Sequence, residues 1–381
     1  MFSTSDHQTL DILLQNECMI PCHGGDVQTV PHRSSSLNPI PVSLHFRYHV
    51  QKSNNNNSAT ILLSVLTVLY LVSGYLSPTM DSTRPSNMFT YQIVPGYFLQ
   101  SDPATQPYFD YTAHNFGLTD RPYPSEAHPP NPKPLTQWQR FTNLLRTLPS
   151  TSPPGTSHKL FYLARHGQGY HNVAEAFYGK EAWDAHWSAL EGNGTMTWDD
   201  ALLTGLGEEQ ARDAGGFLER QFGEGVGMPV PGSWVVSPLR RCLETAGLTW
   251  GGIELGGGEG EVGFRPVVRE MVREVMGVHT CDRRSTRSVI HAMVPEWTIE
   301  DGFAEEDELW RADHREEWAE HDVRTRAFLD EVFAREGGSD VVSVTAHSGT
   351  IASFLRVTGH REFPLPTGGM MPIFVKATRT T

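Results

Sequence analysis

Two histidines in this chain each close a short apolar run. Residues 160–164 (Leu-Phe-Tyr-Leu-Ala) lead into Arg165, His166 and Gly167, and residues 341–346 (Val-Val-Ser-Val-Thr-Ala) lead into His347, Ser348 and Gly349. Such runs read as buried strands, and open α/β sheets bind ligands beyond the carboxyl ends of their strands. Together with Arg165 and Arg241, the two histidines define a pocket for a dianion, and phosphate suits it best. A guanidinium fork gives a phosphoryl group two charge-assisted hydrogen bonds, and N–H groups at helix starts spread the remaining charge. A neutral imidazole nitrogen is a competent nucleophile, so one histidine is able to carry the phosphoryl group while a carboxylic acid protonates the leaving oxygen. This chemistry needs no metal and no other cofactor. A lone histidine at a strand end is usually structural, but two in matching motifs with both arginines converge as a site does. His171, His279, His291 and His314 lack that support and read as structural or surface residues.

The elements that must position these residues are legible from periodicity and caps. Residues 89–99 are strand-like up to Pro95-Gly96, and residues 135–148 put Leu135, Trp138, Phe141, Leu144, Leu145 and Leu148 on one helical face, with Thr136 as N-cap. After the first histidine motif, residues 173–190 predict one helix, broken by residues 191–200. Thr204 caps a further helix running to about Phe222, residues 234–236 form a short strand, and Ser237 and Pro238 open the next helix. The glycine-rich residues 251–263 lack dinucleotide-site spacing and read as a surface loop. A strand at 264–268 follows, then a charge- and Trp-rich insertion near 280–320 over the sheet edge. An amphipathic helix at 322–335 has Val323, Ala327, Phe328, Val332 and Phe333 as its stripe. The second histidine strand, a helix at 350–357 and a last strand at 372–377 complete the chain. Strands alternating with helices imply a layered α/β domain.

The chain has 381 residues, 38% of them hydrophobic, and a net charge of -14. An acidic chain without a Lys/Arg-rich run has no electrostatic footprint for nucleic acid, so any attraction for an anionic substrate is local. Cys18, Cys22, Cys242 and Cys281 are too scattered for a disulfide framework, and Cys18, Cys22 and His23 make at most half a metal site. Residues 1–86 read as a disordered leader, polar except for an uncharged, mostly apolar segment at 59–76. With Arg47 and Lys52 before it and Asp81 after it, that segment fits a signal anchor with the catalytic domain translocated, where the Asn193-Gly194-Thr195 sequon would matter. The first reading, to which the signal anchor is the alternative, is a cytoplasmic protein whose folded part starts near Met80 or Met88. Residues 87–381 then form a single catalytic domain with insertions near 175–200 and 280–320.

Residues 163–172 (Leu-Ala-Arg-His-Gly-Gln-Gly-Tyr-His-Asn) resemble the signature of the histidine phosphatase superfamily, the phosphoglycerate mutase-like family. Four further pieces match its pattern in order: residues 203–211, residues 237–245, Arg273-Glu274 ahead of Gly277, and residues 345–349. The run at 277–284 and the region 89–148 resemble a fungal and plant branch of mutase-like proteins. The resemblance implies a three-layer α/β/α sandwich with a mostly parallel central sheet and inserted cap segments. It implies His166 as the nucleophile forming a phosphohistidine, Arg165, Asn172, Arg241 and His347 as phosphate-binding residues, and Glu274 as the acid. Family spacing selects Arg241 over Arg240 and Glu274 over Glu270, while Arg283 and Arg284 are either a solvated pair or distal substrate ligands. The partner it implies is a small phosphorylated substrate. The activity it implies is phosphomonoester hydrolysis, with a phosphomutase and a non-catalytic interaction protein as the alternatives.

Overall fold

Strand β2 (Thr156–Arg165) organises the domain because its alternate side chains enter two different cores. Leu160, Tyr162 and Ala164 point into one apolar layer, and Phe161 and Leu163 into the other, as the two-residue period of a strand requires. The structure is a computed structural model, and it describes residues 88–123, 134–223, 225–255, 263–335 and 338–380. The leader, its segment at 59–76 and the Cys18, Cys22 and His23 group lie outside the described residues, as does most of the glycine-rich loop, residues 256–262. Among the described residues no helix is long and apolar enough to cross a membrane.

In chain order the strands are β1 (Phe89–Ile93), β2, β3 (Ser233–Val236), β4 (Pro266–Val268), β5 (Thr298–Ile299), β6 (Val341–Ala346) and β7 (Met370–Arg379). The helices are α1 (Gln137–Thr151), α2 (Tyr170–Tyr178), α3 (Lys180–Ala185), α4 (Gly205–Phe222), α5 (Arg240–Trp250), α6 (Arg287–Met293), α7 (Trp318–Ala334) and α8 (Ser348–Thr358). The strands form one sheet ordered β1-β7-β2-β6-β3-β4-β5, parallel from β2 through β5 and antiparallel where β7 meets β1 and β2. α1, α4 and α5 cover one face through Trp138, Phe217 and Leu243; α7 and α8 cover the other through Phe328, Leu329 and Phe354. This is a three-layer α/β/α sandwich with a mostly parallel sheet, as the sequence implies.

Several local expectations hold, and others shift for identifiable reasons. Thr136 caps α1 in a full capping box with Gln139, and Thr204 caps α4 by accepting from the Gly207 N–H. The single helix expected over 173–190 is two, because Gly179 adopts φ +80° and ends α2 before α3 begins. Tyr178 and Trp187 on either side of that break stack with centroids 4.0 Å apart, and with Trp183 and Trp198 they form a small core of the first insertion. Val323 is exposed and does not belong to the buried stripe of α7, which runs instead through Phe328, Leu329 and Phe333. The helix after β3 starts at Arg240 and not at Ser237, whose hydroxyl has another partner described below. The 280–320 insertion supplies β5, which adds the edge strand beside β4.

Candidate functional site

The register between β2 and β6 brings the two motif histidines together. Arg165 lies opposite Ala346, and the His166 N–H donates to the Ala346 carbonyl at 3.0 Å, so His166 and His347 leave the sheet side by side with rings 5.1 Å apart. Both rings are buried. His166 Nδ1 lies 2.7 Å from its neighbour's carbonyl, Gly167 O; a carbonyl only accepts, so Nδ1 carries the proton and Nε2 the lone pair. Burial first, then the charges of Arg241 and Arg165, hold the imidazole pKa well below its usual value, and the ring is neutral at physiological pH. The Gly167 N–H donates to Thr245 Oγ1 at 3.0 Å. A Cβ on Gly167 would lie 2.3 Å from the Gly207 carbonyl, so the close approach of the two loops requires glycine there.

A cavity of about 810 Å³ opens over His166, lined among others by Arg165, Asn172, Arg241, Glu274 and Arg315. Arg165 donates to the Leu365 carbonyl at 2.8 Å. Arg241, in the first turn of α5, donates to the Cys281 carbonyl and, at 3.0 Å, to Asp282 Oδ1. Asn172 uses its carbonyl oxygen to accept from the Gly169 N–H at 3.0 Å, which leaves its amide nitrogen for the cavity. Arg165 Nε, Arg241 Nε and His171 Nδ1 are buried with no hydrogen-bond partner among the described residues. Each such orphan costs about 1–3 kcal/mol.

Glu274 enters from the segment before Gly277. Its Oε2 accepts from the Gly349 N–H at 3.0 Å and from Ser348 Oγ at 3.3 Å, at the start of α8. A Cβ on Gly349 would lie 2.0 Å from Glu274 Oε1, so only glycine leaves the carboxylate its place. Arg324 of α7 fixes this segment by donating to the carbonyls of Met271, Arg273 and Glu274. Glu270, four residues earlier, is elsewhere: Oε1 accepts from Arg284 Nε at 2.6 Å and Oε2 from Arg273 Nη1 at 3.1 Å.

The residues matched by one family model, that of the histidine phosphatase superfamily (branch 1), are 161–365, which take in both histidine motifs, Arg241 and Glu274. The chain belongs to the histidine phosphatase superfamily. Within it, a protein of Arthroderma benhamiae called a probable phosphoglycerate mutase is 42% identical over 293 residues, 77% of this chain and 86% of that protein. Phosphomutase-like protein 3 of Candida albicans is 31% identical over 306 residues, 80% of this chain and 86% of its own length. Phosphoglycerate mutase-like protein 1 of Arabidopsis thaliana is 30% identical over 217 residues, 50% of this chain and 68% of that one. The chain is therefore a member of the mutase-like branch found in fungi and plants.

Of the residues singled out in the sequence, the superfamily member brings Arg165, His166, Asn172, Arg241 and Glu274 around one cavity. His347 is not among the residues that line the cavity: its ring lies 5.1 Å from that of His166, and its Nε2 is 2.7 Å from Ser237 Oγ. The same hydroxyl accepts from the Leu239 N–H at 3.5 Å, and Leu239, not Ser237, is the N-cap of α5. Arg240 and Glu270 are not in the cavity wall, and neither is Arg283, which pairs with Asp199 and Glu191. Arg284 is neither solvated nor a cavity ligand; it is buried and donates to Glu270 and four backbone carbonyls.

Among the wall residues that sequence reasoning missed are His171, His279, Asp282 and Arg315. His171 packs 5.3 Å from the His166 ring and is held neutral by burial and by Arg241, so it is neither a surface residue nor a remote structural one. Asp282 bridges two guanidiniums, Oδ1 to Arg241 and Oδ2 to Arg315 at 2.8 Å. Burial alone would raise its carboxyl, but Arg315 and Arg241 more than offset this and hold it below the usual range. His279, Cys281 and Asp282 bring potential metal ligands within 4.8 Å of one another, yet both Asp282 oxygens are committed to these arginines and burial holds the Cys281 thiol protonated.

Proposed function

We propose that the protein hydrolyses small phosphomonoesters through a phosphohistidine on His166, within one catalytic domain spanning residues 87–381. The observation that carries this reading is the fixed tautomer of His166: Nδ1–H is tied to Gly167 O, and the Nε2 lone pair is left for the cavity between Arg165 and Arg241. Nε2 attacks phosphorus and the ester P–O bond breaks, while Glu274 gives its proton to the leaving oxygen. An alcohol departs and the phosphoryl group remains on nitrogen. Water then attacks phosphorus, the P–N bond breaks, and the Glu274 carboxylate takes the water proton, which restores both residues and releases phosphate. Arg165, Asn172 and Arg241, which line the cavity, hold the phosphoryl oxygens. His347 packs against the reacting ring.

The names of the fungal and plant relatives favour a second reading, a phosphomutase that returns the group to another hydroxyl of a phosphoglycerate-like substrate. It shares the first half of the mechanism. Incubation with 3-phosphoglycerate, following 2-phosphoglycerate and free phosphate together, decides: hydrolysis releases phosphate, whereas a mutase gives the isomer with little phosphate. A protein that forms no phosphoenzyme and turns over no phosphoester would be a non-catalytic interaction protein.

A further inference from the structure

A second cavity, of about 340 Å³, adjoins the first and shares Arg165, Trp318, Ser348 and Gly349 with it. The rest of its wall is mainly apolar, with Ile351 and Leu355 from α8, Phe363 and Pro364 from the loop ahead of β7, and the ring of Tyr108. The junction between the cavities is chemically specific. Ser348 and Gly349, which line both, are the residues that donate to Glu274 Oε2, and Arg165, which lines both, flanks His166. A leaving oxygen within reach of Glu274 therefore sits at the mouth of the smaller cavity.

Two aromatic residues at this cavity stay in water: Tyr108 is 64% and Trp318 56% exposed. Tyr108 holds φ +65°, a left-handed backbone that an aromatic residue seldom adopts. Trp318 lies under the Arg356 guanidinium at 5.0 Å, and Arg356 is pinned in turn by Asp322, so the indole has a fixed face. Exposed, oriented aromatic rings beside a polar reaction centre suit a ligand with one anionic end and one apolar end.

We propose that this annex receives the apolar portion of the leaving group, so that the substrate class is a phosphomonoester of an amphipathic alcohol carrying a short alkyl chain or a single aromatic ring. The proposal rests on the hydrolase reading for the bond that is broken but not for the binding. Binding is tested with n-alkylphosphonates from methyl to hexyl, which cannot be hydrolysed, titrated calorimetrically into the full chain. The expected result is a Kd that falls about two- to fourfold per methylene until the annex is filled. Ala352 is part-exposed on α8 and lines only the annex of the two cavities, so Ala352→Phe fills it from outside the core and should flatten the series. A flat series in the wild-type chain overturns the proposal, as does an Ala352→Phe variant that keeps the wild-type slope. Failure of the hydrolase reading is distinguishable: hexyl phosphate would then release no phosphate while the phosphonate slope persists.

Discussion

Where β2 and β6 end, backbone pairing places the residues: Arg165 faces Ala346 across the ladder, and the His166 N–H is bonded to the Ala346 carbonyl. Across the cavity, in the 280–320 insertion, side-chain charge does the placing: Asp282 is clamped between Arg241 and Arg315, and Glu316 is held by Arg324. Ladder hydrogen bonds keep their geometry whatever the neighbouring side chains are, whereas a buried ion pair fails as soon as one partner is removed. The sheet side therefore holds the reacting atoms with little reorganisation, and the insertion side sets how the guanidiniums meet the substrate. Removing a sheet-side group should abolish chemistry in a folded protein; removing an insertion-side group should weaken chemistry and stability together.

The largest effect belongs to the nucleophile. His166→Ala should lower phosphate release by about 10³-fold or more, because the nitrogen that attacks phosphorus is lost. Acid-quench trapping of phosphoenzyme with a labelled ester should give signal with the wild type and none with the variant. Release at the wild-type rate would remove His166 from the mechanism.

Glu274 and Glu270 bring the same comparison down to two carboxylates four residues apart. Glu274→Gln removes the proton donor and should slow turnover about 10²- to 10³-fold, with most of the loss recovered on esters whose leaving group needs no proton. Glu270→Gln should change the rate per folded molecule by less than about threefold, yet lower stability by about 2–4 kcal/mol, because Arg273 and Arg284 lose a buried counter-charge. Rates on an alkyl and a nitrophenyl ester, with urea unfolding of each variant, separate the two. A reversed outcome would make Glu270 the acid.

Arg165, His166, Arg241 and His347 were legible in the sequence because each sits at or just past the end of a strand or in the first turn of a helix, whereas Asn172 and Glu274 came only from the family resemblance. There, local periodicity and caps fix a residue's place. Thr204 and Thr136 show the same legibility at helix starts. The insertion-side half was not legible in this way. Asp282 meets Arg241 across 41 residues and Arg315 across 33, and no period connects such pairs; in a charge-rich segment Asp282 looked no different from its neighbours. Ser237 carries a contact that no local signal shows, since its hydroxyl meets His347, 110 residues on. His171 was within reach: it lies one residue before Asn172 on α2, and the signal was that a helix start beside the histidine motif points back at it.

The smallest rate effect expected at a residue lining the cavity, and the most informative about the insertion, concerns Asp282, a positioning residue that acts through Arg241. Asp282→Asn keeps the shape but removes the charge shared by the two guanidiniums, and it should lower kcat/KM about 10- to 100-fold through a misplaced Arg241. The pH profile supplies the readout that a merely structural role would not move. Burial, Arg241 and Arg165 hold His166 neutral to well below pH 6.5, so the acid limb of the wild-type profile that reports His166 lies below that pH. Without the carboxylate, Arg241 acts on His166 uncompensated, disfavours the imidazolium further and moves that limb to still lower pH. Asp282→Glu, which retains the charge, should restore much of the loss and return the limb toward the wild type. A limb that moves upward, or a folded Asp282→Asn protein with unchanged kcat/KM, would mean that the ion-pair clamp has no part in the chemistry across the cavity.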